Sequence, residues 1–164
     1  MKNIGALAVI LAIIFFQSCG QKEDSCSLNS EILDQDLDVE ILRLEKEFFE
    51  AKNAEDFKFL LEKYPEFTKK YLQADLYQSM DSLVADLVQI HQDSAMQVLN
   101  DSVQVEFADF SEVEEELENA LKAIKYYFPQ FEVPKVYTFV SGFNSDLVVT
   151  EDLIVIGLDY FLPA

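Results

Sequence analysis

Cys19 stands directly after a long apolar run, where its thiol could carry a lipid. Residues 4–16 are apolar apart from one glycine, follow a short positively charged start, and are too few for a permanent membrane span. Small Ser18 precedes the cysteine, as a lipoprotein-type signal peptidase requires before the thiol receives its diacylglyceryl group. We therefore predict that residues 1–18 are a cleaved lipoprotein signal peptide and that Cys19 carries acyl chains such as palmitate. A cleaved ordinary signal peptide and a retained membrane helix are the alternatives.

The chain has 2 cysteines, so lipidation of Cys19 leaves Cys26 without an intramolecular partner. A Cys19–Cys26 disulfide is the competing interpretation. We predict that residues 19–38 form a polar, acidic tether that holds a folded domain away from lipid headgroups. The run "KED" at 22–24 also resembles the surface-export signal of lipoproteins in some gliding bacteria.

Acidic residues with the spacing of a calcium loop begin at Asp34 and end at Glu45. Such a loop needs glycine at its sixth position, where this chain has Val39. We therefore interpret the run as an acidic approach to the first element of the domain. Residues 39–44 alternate well enough for a strand, whereas the apolar residues from Ile41 onward also recur at helical spacing, so the type of this element stays open.

The other residues that could do chemistry predict no catalytic, cofactor or metal site. His91 is the only histidine, which excludes a two-histidine zinc site, and we expect it on a helix surface. The glutamates between residues 112 and 118 are spread around one helix and are expected to be solvated. The net charge is −19 and Arg43 is the only arginine, so nucleic-acid binding is not expected and membrane attachment depends on the lipid.

Hydrophobic periodicity predicts an α+β class, with several helices followed by a short β-meander. Helical patterns cover residues 53–73, where Pro65 begins a second helix, and residues 79–99. The helix 111–128 follows, with Ser111 and Glu114 as a capping box. Its predicted buried stripe consists of Val113, Leu117, Leu121, Ile124 and Phe128. Apolar strands at 135–143, 147–150 and 153–158 complete a domain that we place at residues 39–164.

The stretch "KYYFPQFEVPKVYTF" (125–139) joins this helix to the first predicted strand and contains six aromatic residues. Two prolines separate the helix end from the strand. We predict that Tyr127, Phe128, Phe131 and Tyr137 fill the corner between the two elements as part of the core.

Several stretches together resemble the gliding-motility-associated lipoprotein GldB family: "LLEKYPEFTKKYL", "IKYYFPQFEVPKVYTFVSGFNSDLVVTEDLIVIGLDYFL" and the leading signal with Cys19. The resemblance implies a lipid-anchored envelope protein of the bacterial gliding machinery that acts through protein partners. It gives no biochemical activity, and because the residues present define no catalytic site we expect no enzyme. It would be anchored to a membrane on the periplasmic or the outer-membrane face, with the cell surface as a further location. Family members are longer, so the resemblance also implies that this chain corresponds to an N-terminal half.

Two alternatives remain. The family is distantly similar to zinc-dependent peptidases, but their His-Glu-x-x-His helix is absent from this chain. An acidic solute-binding or inhibitor lipoprotein would instead need a pocket with convergent polar groups, and the residues that could line one are Ser141, Asn144, Asp146 and Asp159.

Overall fold

A computed structural model of the chain describes residues 28–37 and 39–163. The predicted signal peptide and half of the tether, including Cys19 and Cys26, lie outside the described residues. Lipidation of Cys19 and the division of the chain into signal, tether and domain therefore stay predictions. The α+β class is confirmed, because a largely helical part precedes strands that form one sheet.

The helices are α1 (Ser30–Leu33), α2 (Leu44–Glu50), α3 (Ala54–Lys63), α4 (Met80–Gln92), α5 (Ser94–Glu106) and α6 (Ser111–Tyr127). The strands are β1 (Ile41–Arg43), β2 (Lys135–Phe139), β3 (Leu147–Val149) and β4 (Leu153–Gly157). A π-helical turn (Phe67–Tyr71) and two 3-10 turns (Ala74–Leu76 and Leu158–Phe161) complete the regular structure of the described residues.

The strand connection differs from the predicted meander, because the sheet order is β1-β2-β4-β3. β2 lies between β1 and β4 and is parallel to both, whereas β3 is an edge strand antiparallel to β4. The physical reason lies in the composition of β2, in which every residue after Lys135 is buried. A strand covered on both faces is stabilised in the middle of a sheet, so β4 pairs with it directly and β3 moves to the edge.

The segment that begins at residue 39, whose secondary structure the sequence did not decide, contains a strand followed by a helix. Ile41–Arg43 pair with β2, and α2 begins at the next residue, Leu44. The alternation of 39–44 and the helical spacing from residue 44 are therefore both real, but each covers only part of the segment.

Each face of the sheet packs against helices. One face contributes Tyr137, Phe139 and Val155 to the larger hydrophobic core, where they meet residues of α2, α3 and α4. The other face contributes Ile41 and Ile156 to a smaller core with residues of α5. This double coverage explains why strands with apolar residues on both faces are stable in water.

Helix boundaries differ from the prediction at two places. The pattern predicted over 79–99 is two helices, because Asp93 ends α4 and its carboxylate accepts hydrogen bonds from the first amides of α5. At α6 the predicted capping box is wrong, since Ser111 is the first helical residue and its amide donates to the Asp109 carboxylate. In contrast, helical structure does resume at Pro65 and continues into the π-helical turn.

The stretch 125–139, which we call the aromatic joint, is only partly in the core. Tyr137 is buried, as predicted, but Tyr127 and Phe128 are 67% and 66% exposed. Within α6 only Leu121 of the predicted stripe is fully buried, and Ile124 is exposed as well. The prediction failed because α6 packs mainly against the short α1, which covers less of its apolar face than a sheet would.

Candidate functional site

A pocket of about 450 Å³ opens at the carboxyl end of the central parallel strand, β2. We call it the strand-end pocket. The chain leaves β2 through Val140 and Ser141 along one wall, and Phe48 of α2 and Met96 of α5 lie on other walls. Ligands of sheets with parallel strands bind at this end, because loops leaving neighbouring strands converge there. Its size lies within the range of small-molecule sites.

The loop between β2 and β3 is fixed by the carboxylate of Asp159, which is buried just after β4. Asp159 accepts hydrogen bonds from the Ser141 amide at 2.7 Å, the Ser141 hydroxyl at 3.1 Å and the Phe143 amide at 2.6 Å. The Tyr160 hydroxyl also donates to the Phe143 carbonyl. These bonds stabilise a loop that would otherwise sample many conformations, so the pocket wall is preorganised.

Three residues around the loop and the pocket have positive φ angles. Gly142 (φ +67°) and Phe143 (φ 59°) form the bend of the β2–β3 loop, and Gln73 (φ 53°) lies on the pocket wall. A side chain is strained in this conformation, and such strain is concentrated at functional sites. Glycine adopts a positive φ without strain, so the two strained residues, Gln73 and Phe143, mark this part of the molecule as the best candidate site.

The hydrogen-bonding groups of the strand-end pocket are mostly uncharged. They include the Tyr71 hydroxyl, the Gln73 and Asn144 amides and the Ser145 hydroxyl. Burial raises the pKa of Tyr71 to about 12, and the nearby negative charge of Asp159 adds to the effect. The Tyr71 hydroxyl therefore stays protonated at neutral pH and can donate a hydrogen bond.

Two of the four sequence-predicted pocket residues line it, namely Ser141 and Asn144. Asp159 supports the loop by its three hydrogen bonds, whereas Asp146 is not among the lining residues and its carboxylate instead accepts from the Leu147 amide. The analysis of the sequence missed Tyr71 and Phe48, which carry no local signal because helical apolar spacing also describes ordinary core residues.

The remaining candidate residues have structural roles. His91 is not a simple surface residue as predicted, since its ring lies 5.6 to 6.2 Å from the rings of Phe48, Phe49 and Phe57. Glu45, the last residue of the calcium-like spacing, is buried and bonded to Arg43 and Thr138, while Asp38 of the same run lies outside the described residues. Among residues 28–37 and 39–163, no three histidine, cysteine or acidic side chains are grouped as metal ligands would be.

A second exposed feature lies at the end of α6, where Ile124, Tyr127 and Phe128 share one helix face. We call these three residues the α6 tip. The side of the helix that carries Tyr127 continues toward the helix start through Glu116, about three turns before Tyr127, and Glu112, one turn further; both are exposed. The surface is thus apolar at one end and acidic at the other.

None of the helices in the described part of the chain has the length and apolar character needed to cross a bilayer. A family model described as gliding motility protein GldB matches residues 25–164. No curated protein matches the chain, and no solved structure matches it.

Proposed function

Because the chain belongs to the gliding motility protein GldB family, a family of gliding-motility-associated lipoproteins, we propose that it is a lipid-anchored envelope protein that serves the gliding machinery by binding another protein. The family match over residues 25–164 is the observation that carries the proposal. We assign the protein no chemical step. The metallopeptidase alternative gains no support, since the single histidine packs among phenylalanine rings.

The proposed contact surface is the α6 tip with its acidic extension. Exposed large apolar side chains that share one face are typical of interaction sites, and aromatic residues are enriched at the centres of protein interfaces. The carboxylates of Glu112 and Glu116 lie on the Tyr127 side of the same helix, so charge complementarity favours a partner with basic residues beside its apolar ones. We therefore propose that the partner presents a basic amphipathic segment to α6.

Replacing Tyr127 and Phe128 with serine is expected to abolish gliding while leaving the protein folded and at normal abundance. Each aromatic ring is more than half exposed, so its loss removes little core packing but much of the proposed contact. Gliding on agar would be measured in a strain whose own copy has been deleted, with the amount of protein measured by immunoblot. Val105→Ser, at an exposed apolar site on α5, is the matched control and should glide normally.

The acidic part of the surface is tested in the same strain. Glu112→Lys with Glu116→Lys should impair gliding, whereas Glu114→Lys with Glu115→Lys changes the charge equally on the side of the helix away from Tyr127 and should not. Normal gliding of both the serine variant and the Glu112/Glu116 variant would reject α6 as the contact surface.

Cys19→Ala is expected to abolish incorporation of labelled palmitate and to move the protein from the membrane fraction to the soluble fraction. The reason is that the lipid is the proposed membrane attachment, since an acidic surface is repelled by anionic lipids. Cys26→Ala is the matched control and should keep both label and membrane association. If Cys19→Ala remained labelled and fully membrane-bound, the anchor would have to lie elsewhere.

A further inference from the structure

We propose that the strand-end pocket binds an aromatic ring that carries an uncharged hydrogen-bonding group, such as a phenol. This binding site is independent of the α6 surface and of the proposed role in gliding. Three properties of the pocket favour such a ligand: the aromatic rings in its lining, the charge of that lining and the rigidity of its wall.

Three aromatic side chains line the strand-end pocket: Phe48, Tyr71 and Phe139. The Phe139 ring already meets the other two edge to face, at centroid distances of 5.1 Å from Phe48 and 5.7 Å from Tyr71. A further ring in the pocket can pack by the same geometry, which is favourable beyond simple burial. Met96 adds a polarizable sulfur that also packs well against aromatic rings.

The charge of the pocket favours an uncharged ligand. Lys70 is the only charged side chain among the lining residues that the structure describes, and its ammonium group is paired with Asp152. Just behind the wall, the carboxylate of Asp159 accepts three hydrogen bonds from the loop and needs no further partner. An anionic ligand would meet this buried carboxylate and the net charge of −19, with no free cation in the lining to offset them.

The hydroxyl of Tyr71 is the group best placed to select the ligand. It lines the pocket and makes no hydrogen bond within the described residues. A tyrosine hydroxyl is protonated at neutral pH, and burial raises the pKa of Tyr71 further, to about 12, so the hydroxyl is a donor. A hydroxyl or carbonyl oxygen on the bound ring can accept this hydrogen bond.

Methionine methyl groups give a direct test, because of the two methionines that the structure describes, Met96 lines the pocket and Met80 does not. The full chain would carry ¹³C-labelled methionine methyls and be titrated with p-cresol. We expect a saturable shift of the Met96 resonance and none of Met80, which is 47% exposed and lines a different depression. The anion p-toluate should bind at least about 10-fold more weakly than p-cresol.

Two variants identify the site. Ser145→Trp places an indole in the pocket and should abolish the Met96 shift. If this variant does not fold, Val148→Phe, which fills the pocket from β3, replaces it in the test. Tyr71→Phe should weaken p-cresol binding about 5-fold and leave toluene binding unchanged, as expected for one neutral hydrogen bond. A non-saturating shift of both methyls, or a Met96 shift that survives a folded pocket-filling variant, would overturn the proposal.

The bound ring can belong to a tyrosine side chain of a polypeptide or to a free aromatic small molecule. A titration with N-acetyltyrosinamide distinguishes these two sources. Binding as tight as that of p-cresol supports a tyrosine side chain of a polypeptide as the ligand. Binding of p-cresol alone supports a free aromatic small molecule.

Discussion

Gly157→Ala is expected to lower the free energy of unfolding by about 3 kcal/mol, the upper part of the range for an overpacked site. A β-carbon at this position would lie 2.0 Å from the carbonyl oxygen of Ser145, far inside any van der Waals contact. The structure must therefore move, and the obstacle is a backbone atom that cannot rotate out of the way.

Neither side of this contact can yield easily. The Gly157 amide donates a 2.8 Å hydrogen bond to the Asp146 carbonyl, and Gly157 pairs with Phe139 in the parallel β2–β4 ladder. On the other side, Ser145 belongs to the loop that Asp159 holds through Ser141 and Phe143. Relief of the clash requires breaking one of these sets of hydrogen bonds, which explains the large expected cost.

Urea unfolding followed by circular dichroism would measure the effect, with Gly142→Ala as the matched control. At Gly142 the positive φ costs about 1–2 kcal/mol, and the nearest obstacle is the flexible Met96 side chain at 3.0 Å. Gly142→Ala should therefore be destabilised less than Gly157→Ala. The reverse order would show that the β2–β3 loop is not held against β4 as described.

The fold class could be predicted because the hydrophobic period of each segment, and the succession of helical and strand segments along the chain, can be read directly from the sequence. The helical spacing in 53–73 reflects α3 and the helical structure that resumes at Pro65, and the β-branched run at 135–139 reflects β2. The order of strands in the sheet is not local. β2 pairs with β4 although β3 lies between them in the sequence, and no residue of β3 indicates that this strand lies at the edge of the sheet.

Burial of the aromatic joint shows the same limit. An apolar stripe predicts that a helix has a covered face, but the extent of the cover depends on its neighbours. Because α6 packs on the four-residue α1, Tyr127 and Phe128 remain exposed although their spacing suits a core.

The candidate site was predictable only where one loop builds it. Ser141 and Asn144 stand in a recognisable turn after a strand. The other walls come from the π-helical turn, α2 and α5, which the sequence separates by tens of residues and only tertiary packing brings together.

Removal of the Glu45 carboxylate is the other change with a large expected effect. Glu45→Ala should lower the free energy of unfolding by about 4 kcal/mol, because it leaves a buried guanidinium without its counter-charge. Glu45 is fully buried and the Arg43 side chain is only 12% exposed; their Nε and Oε1 atoms are 2.5 Å apart. The Thr138 hydroxyl donates to the second oxygen of the same carboxylate, so β2 would lose a partner as well.

Arg43 also explains why the pair is placed where it is. Its Nη1 atom donates to the Phe107 carbonyl at 3.0 Å, and its guanidinium lies 4.4 Å from the centre of the Phe110 ring. The only arginine of the chain thus links β1 to the segment between α5 and α6. Its Nη2 atom is buried without a hydrogen-bond partner in the part of the chain that the structure describes, so the site has no spare acceptor to replace Glu45.

The double variant Arg43→Met with Glu45→Leu separates the cost of an unpaired charge from the value of the pair. Replacing both members removes both buried charges, so this variant should be more stable than Glu45→Ala, although Thr138 then loses its acceptor. Urea unfolding of the two variants and of wild type would give the comparison. If the double variant were instead the least stable, the ion pair would contribute net stability beyond the cost of burying its charges, and the link from β1 to the α5–α6 segment would depend on charge.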